Sequence, residues 1–134
     1  MAAGQVLVVD DDPVLRSHLR VCLEKASYGV DCAADGVQAL SCCLSRPYAA
    51  VVTDLVMPHA DGFVVLHGLR QVAGTKPPCV VMTAETDPAV LARVMNAGAF
   101  VVINKPVTGE RLLRVLARAT SPLCHQAATM PPDP

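Results

Sequence analysis

Asp10, Asp11, Asp54, Thr83 and Lys105 are the side chains whose types and order could do chemistry together in this sequence. Each stands at or just beyond the end of a short apolar run. A fold that gathers the ends of those runs therefore gathers three carboxylates, a hydroxyl and an ammonium. Three carboxylates on one edge repel, each pair by roughly 4 kcal/mol at about 4 Å and an effective dielectric of about 20, so something cationic must sit among them. Lys105 supplies one positive charge. A hard divalent ion is the natural second, because Mg2+ (or Mn2+) accepts one or two carboxylates and keeps positions for water and phosphate oxygens. With a hydroxyl and an ammonium beside it, such a site holds a tetrahedral anion. It would stabilise charge on the equatorial oxygens of a transferring phosphoryl group while a carboxylate serves as nucleophile. The chemistry expected is an aspartyl phosphate.

The elements that must position these groups alternate between two hydrophobic periods. Gln5 to Val9 reads as a continuous apolar strand ending in Asp10-Asp11-Asp12, and Pro13 opens a helix with Leu15, Leu19, Cys22 and Leu23 on one face. Tyr28 to Ala33 is a weaker strand, followed by Asp35-Gly36 and a helix from about Val37 to Leu44. Ala50-Val51-Val52-Thr53 has the composition of a strand buried on both faces and delivers Asp54 at its end. On its own an acid there is more often a solvated turn residue than a reactive group; the other strand ends change that reading. After Asp61-Gly62 comes a helix carrying Val65, Leu66, Leu69 and Val72. Pro77-Pro78 introduces a strand from Cys79 to Thr83, and Asp87-Pro88 caps a helix that runs to about Ala97 and is closed by Gly98. The last strand, Phe100 to Asn104, ends at Lys105-Pro106, and Thr108 caps a helix from Gly109 to about Ala119. Five βα units with near-continuous apolar strands predict an α/β fold, doubly wound around a parallel five-stranded sheet with right-handed crossovers. Ligands in such folds bind outside the carboxyl ends of the strands, where the five chemical side chains fall.

Size and composition restrict the function. A chain of 134 residues, 52% hydrophobic and 17% charged, fits one compact core. The net charge of -1 gives no electrostatic reason for nucleic acid or an anionic membrane as direct partner. No apolar run approaches the roughly 18 residues of a membrane span, and Met1-Ala2-Ala3-Gly4 leads into a strand with no secretion signal, so a cytoplasmic protein is expected. Cys22, Cys32, Cys42, Cys43, Cys79 and Cys124 have no CxxC spacing and read as small buried hydrophobes kept reduced, except Cys124, which lies outside the periodic segments.

The motifs Val8-Val9-Asp10-Asp11-Asp12, Asp54-Leu55-Val56-Met57-Pro58 with Asp61-Gly62, Val81-Met82-Thr83-Ala84, Gly98-Ala99 and Lys105-Pro106 occur in that order. From about Gln5 to Ala119 the chain resembles the receiver domain of two-component response regulators. The resemblance implies a flavodoxin-like, CheY-like fold with strand order 2-1-3-4-5 and a receiver over residues 1–120. It makes Asp54 the phosphoacceptor, supplied by a histidine kinase or histidine phosphotransfer protein, and also by small acyl phosphates. Asp10, Asp11, Asp54 and the carbonyl of Val56 would hold the metal. Lys105 would pair with Asp54 and then with phosphoryl oxygens, across a cis bond to Pro106. Thr83 would hydrogen-bond the phosphoryl group, and the small Ala84 would leave access open. Val56 and Glu85 would flank the route of the attacking water. The implied protein catalyses its own phosphorylation and autodephosphorylation but serves mainly as a signalling switch. Its target or effector domain would meet the face of the fourth helix, fifth strand and fifth helix, and a homodimer is compatible with it.

The chain departs from the family pattern at Val102, where many receivers carry an aromatic residue that turns inward when the threonine moves, and at Val107. Phe100 lies one strand repeat, about 6.6 Å, further from the site and is not expected to substitute. Other polar residues have plainer roles. Asp12 is expected to cap the first helix and Asp61 with Gly62 to start the third. His18, His59, His67 and His125 form no ligand spacing, and Arg70, Arg93, Arg111, Arg114 and Arg118 are expected on solvated helix faces. Residues 121–134, with their four prolines, read as a flexible tail or the start of a linker. A haloacid-dehalogenase-like phosphatase would need an acid where Val56 stands, and a flavodoxin-like cofactor carrier would need a phosphate loop after the first strand. The remaining alternative is a degenerate receiver that binds protein partners without phosphorylation.

Overall fold

The computed structural model describes residues 4–72, 74 and 76–121. Five strands alternate with five helices: β1 (Gly4–Val9), α1 (Pro13–Lys25), β2 (Tyr28–Ala33), α2 (Gly36–Ser45), β3 (Ala50–Asp54), α3 (Gly62–Leu69), β4 (Cys79–Thr83), α4 (Pro88–Asn96), β5 (Val101–Asn104) and α5 (Gly109–Ala119). The strands form one parallel sheet in the order β2-β1-β3-β4-β5. This is the doubly wound α/β arrangement expected from the alternation of periods.

Both faces of the sheet are buried, which is why the strands are apolar throughout. Successive strand residues point to opposite faces. Leu7, Val9, Val51, Cys79 and Val81 accordingly pack on one side with Ala39 of α2, Val65 and Leu66 of α3 and Val94 of α4. Val6, Val8, Val52, Val80, Met82 and Ile103 pack on the other with Leu19 and Leu23 of α1 and Leu112 and Leu116 of α5. A one-residue slip of register would exchange these sets, so the pattern fixes the pairing.

Every helix starts at the carboxyl edge of the sheet with a side-chain cap. Asp12 accepts from the amides of Val14 and Leu15, Asp61 from Phe63 and Val64, Asp87 from Ala89, and Thr108 from Arg111. Asp35 accepts from Gln38 N while the Gln38 amide oxygen accepts from Ala34 N, a reciprocal cap. Such caps contribute about 1 kcal/mol each and aim helix N-termini at the functional edge. The roles expected for Asp12 and Asp61 are the ones they play.

Some boundaries and surfaces differ from the sequence reading. β5 begins at Val101, leaving Phe100 outside it, and α3 ends at Leu69. Gln71 N and Val72 N bond three residues back, which tightens the chain out of the α-helix, and Val72 packs against the core from that turn. Among the described residues only Cys43 and Cys79 are buried cysteines; Cys22, Cys32 and Cys42 are partly exposed. Arg70 and Arg93 are not merely solvated. Arg70 donates to the Asn96 carbonyl at 2.7 Å, and Arg93 lies 5.2 Å from the centroid of the Phe63 ring, so both tie α3 to α4. Residues 122–134, with Cys124 and His125, fall outside the described residues.

Candidate functional site

Parallel strands bring their carboxyl ends to one edge, and that edge collects Asp10 beyond β1, Asp54 at the end of β3, Thr83 at the end of β4 and Lys105 beyond β5. Asp10, Asp54 and Thr83 are the buried polar side chains here, together with Thr53. Asp11 is exposed, yet its carboxylate joins those of Asp10 and Asp54 in a group whose ligand atoms all lie within 4.8 Å of one another.

Lys105 Nζ donates to Asp54 Oδ2 at 2.9 Å and lies 3.7 Å from Asp10 Oδ2. Burial works against the ammonium, but the hydrogen bond to Asp54 and the charge of Asp10 outweigh it and raise its pKa. Asp10 moves the same way for the opposite reason. Burial raises its pKa, Asp54 and Asp11 add repulsion, and the Asp12 amide and Lys105 compensate only in part. Its Oδ1 accepts from Asp12 N at 2.9 Å, while Oδ2 is buried with no hydrogen-bond partner. A buried carboxylate oxygen without a donor is costly, and here it faces two further carboxylates. The donor set is entirely oxygen, anionic and short of positive charge, which fits a hard divalent cation such as Mg2+.

Beside the carboxylates, Asp54, Val56, Thr83, Ala84, Glu85, Thr86 and Lys105 line an open cleft of about 400 Å³. Val56, 73% exposed, stands on its rim. The Lys105–Pro106 bond is cis. Val102 is partly buried and packs against the α2–α3–α4 side of the core. His59 is exposed, with φ 72, and makes no contact with the carboxylates in the hydrogen-bond pattern of the described residues. A second cleft, of about 380 Å³, includes Arg46 and Tyr48 at the opposite edge of the sheet, but both are committed to Asp31 Oδ2.

One supporting residue, Arg16, is absent from the motifs, and Gly62, which they include, does more than start a helix. Arg16 Nη1 donates to the Asp10 carbonyl at 2.6 Å, holding the end of β1 where Asp10 N still bonds Ala33 O. A cation in the first turn of a helix opposes the macrodipole, and that oddity is the signal that could have drawn notice to it. Gly62 lies so close to β3 that a Cβ would come within 2.9 Å of the Asp54 carbonyl oxygen.

Known proteins resemble the chain over most of its length. The family model for the response regulator receiver domain matches residues 6–117. The response regulator MprA of Mycobacterium sp. (strain KMS) is 40% identical over 121 residues, covering 88% of this chain and 52% of that protein. MprA of Mycobacterium avium (strain 104) is 39% identical over 121 residues, with coverage of 88% and 53%. The chain thus spans about half the length of these curated relatives. Among solved structures, the Vibrio cholerae chemotaxis protein CheY4 superposes with a TM-score of 0.80 at 32% identity, over 89% of this chain and 98% of that one. The receiver domain of the sensor histidine kinase PA1611 from Pseudomonas aeruginosa PAO1, solved with a magnesium ion coordinated in its active site cleft, gives 0.80 at 28% identity, over 89% and 98%.

Proposed function

The chain belongs to the response regulator receiver domain family of two-component systems, and from that premise we propose that it accepts a phosphoryl group on Asp54 in a Mg2+-dependent reaction. The observation that carries this reading is the shared Lys105: one ammonium serves Asp54 at 2.9 Å and Asp10 at 3.7 Å, and leaves a buried Asp10 oxygen without a partner. Asp10, Asp11, Asp54 and the Val56 carbonyl would hold the cation. When bound, it would supply positive charge to offset the carboxylates and the incoming phosphoryl oxygens.

The chain's own residues do the rest. A carboxylate oxygen of Asp54 attacks phosphorus in line, the P–N bond of the donor phosphohistidine breaks, and the imidazole leaves with the bonding pair. Lys105, already beside Asp54, follows charge onto the phosphoryl oxygens. Thr83 gives them its hydroxyl hydrogen. Ala84 leaves the cleft mouth open to the donor, and Val56 and Glu85 border the path of the water that later hydrolyses the acyl phosphate. Residues 1–120 form the receiver in this proposal, with 121–134 as a tail or the start of a linker. The phosphodonor partner is a histidine kinase or phosphotransfer protein, and the α4–β5–α5 face carries the output.

Incubation of the full chain with Mg2+ and acetyl phosphate, followed by intact mass, tests the proposal. A gain of about 80 Da, one phosphoryl group, is expected, lost with Asp54→Asn and on chelation of the metal. Absence of that adduct in the unaltered chain overturns it and favours a receiver that acts through protein contacts alone.

A further inference from the structure

Asn104 pairs across the sheet with Thr83, and its side chain does something the motifs do not describe. Alternation puts Thr83 with Val81 and Asn104 with Val102 on the α4 side of the sheet, so the two polar side chains are lateral neighbours. Between them stands Glu85, held at every polar group. Its N–H donates to Thr83 Oγ1 at 2.9 Å. Its carbonyl accepts from Asn104 Nδ2 at 3.2 Å. Its carboxylate accepts from Thr86 N at 3.0 Å and Asp87 N at 2.9 Å, and is thereby turned to the chain entering α4.

A hydroxyl oxygen that accepts an N–H keeps its own hydrogen for another acceptor. Thr83 is 1% exposed and borders the cleft that holds Asp54 and Lys105, so the acceptor its hydrogen would meet is an oxygen on the phosphorylated Asp54. We propose that Asn104 is a positioning residue for phosphoryl transfer: by anchoring the Glu85 carbonyl, it fixes the Glu85 N–H that orients the Thr83 hydroxyl as a donor. The inference rests on Asp54 being the phosphoacceptor. It also supplies a route for the signal where Val102 offers no aromatic lever. If Thr83 swings toward a phosphoryl oxygen, Glu85 N must follow or lose its acceptor, and Glu85 is bonded to Asp87, the cap of α4.

The test uses Asn104→Leu, which removes the donor while keeping size, and Asn104→Gln, which keeps the amide. In the unphosphorylated protein, hydrogen exchange at the Glu85 amide should be about two- to tenfold faster in N104L, the range of one ordinary hydrogen bond, and largely restored in N104Q. With acetyl phosphate and Mg2+, the maximal rate of Asp54 phosphorylation should fall by a similar factor at unchanged half-saturation, and N104L should have no further effect on Thr83→Val. Unchanged Glu85 exchange overturns the anchoring whether or not Asp54 is phosphorylated. Faster exchange with an unaltered phosphorylation rate, or an equal effect of N104L with and without Thr83, overturns the positioning role. No Asp54 adduct in the unaltered chain overturns the phosphoacceptor reading itself, and with it that role.

Discussion

Lys105 Nζ is within hydrogen-bond distance of Asp54 Oδ2 at 2.9 Å but stands 3.7 Å from Asp10 Oδ2, so one ammonium is divided unequally between two carboxylates. The unequal sharing leaves Asp10 as the strained partner. Its pKa is raised, chiefly by burial, which means the fold favours its neutral form.

The metal-free protein should therefore be more stable with Asp10→Asn than with aspartate at neutral pH. A carboxyl whose folded pKa lies above its unfolded value of 3.8 costs stability while ionised. That cost is relieved as pH falls through the folded pKa and is gone below the unfolded one. The advantage of D10N should accordingly shrink as melting is followed from pH 7 toward pH 4. Mg2+ should reverse the order: at a hundred times its dissociation constant it should add about 2.7 kcal/mol to the unaltered chain and markedly less to D10N or Asp11→Asn. A melting temperature indifferent to Mg2+ would count against the metal assignment.

The sheet, the helices and their caps were legible because each rests on a local rule: apolar runs for doubly buried strands, and Asp or Thr before a helix. The edge cluster was legible because parallel topology leaves only one place for strand-end residues to meet. What the sequence hid are side chains acting across elements. Arg70 and Arg93 look like any solvated arginine until α3 and α4 lie side by side. Glu85 looks like a group beside the water path, but two backbone amides hold its carboxylate. Asn104 is a poor strand former at a strand end, a signal that means nothing until the register sets it beside Thr83.

At the far edge of the sheet, Tyr48 Oη donates to Asp31 Oδ2 at 2.6 Å, and Arg46 Nη1 reaches the same oxygen at 2.8 Å. Tyr48 is 8% exposed, whereas the Arg46 side chain is 52% exposed. Tyr48→Phe should cost about 1 kcal/mol, and Arg46→Ala less, since an exposed pair is screened. Burial and then the Asp31 bond raise the Tyr48 pKa. Below about pH 10 the phenol is neutral in both states and contributes no pH dependence. Above it the unfolded chain ionises first, so stability should fall with rising pH, and Y48F should show less of that fall in denaturant titrations.

Cys43 and Cys79 should resist alkylation in the folded protein. Burial pushes the Cys43 thiol up to about 11 and raises Cys79 as well. At pH 8 roughly one Cys43 in a thousand would be thiolate, against about a quarter of an ordinary cysteine. Iodoacetamide followed by peptide mass mapping should label the partly exposed Cys22 and Cys42 first, and Cys43 and Cys79 only as the protein unfolds. Early labelling of Cys43 would show that the α2 face opens without global unfolding.

Gly62 ties the third helix to the end of β3 that carries Asp54. Its N–H donates to the Leu55 carbonyl at 2.8 Å, and a Cβ there would stand 2.9 Å from the Asp54 carbonyl oxygen and 3.0 Å from Leu55 Cα. Those are backbone atoms of the segment that carries Asp54, the proposed phosphoacceptor, and neither can yield without moving it. Gly62→Ala should destabilise the fold by about 1–3 kcal/mol despite the better helix propensity of alanine, and slow phosphorylation from acetyl phosphate as well. Gly68→Ala is the control. The atoms nearest its new methyl are side-chain carbons of Leu40, away from the segment that carries Asp54. It should leave the phosphorylation rate unchanged, whatever it costs in urea denaturation. Equal phosphorylation rates in the two variants would show that contact between α3 and β3 does not set the position of Asp54.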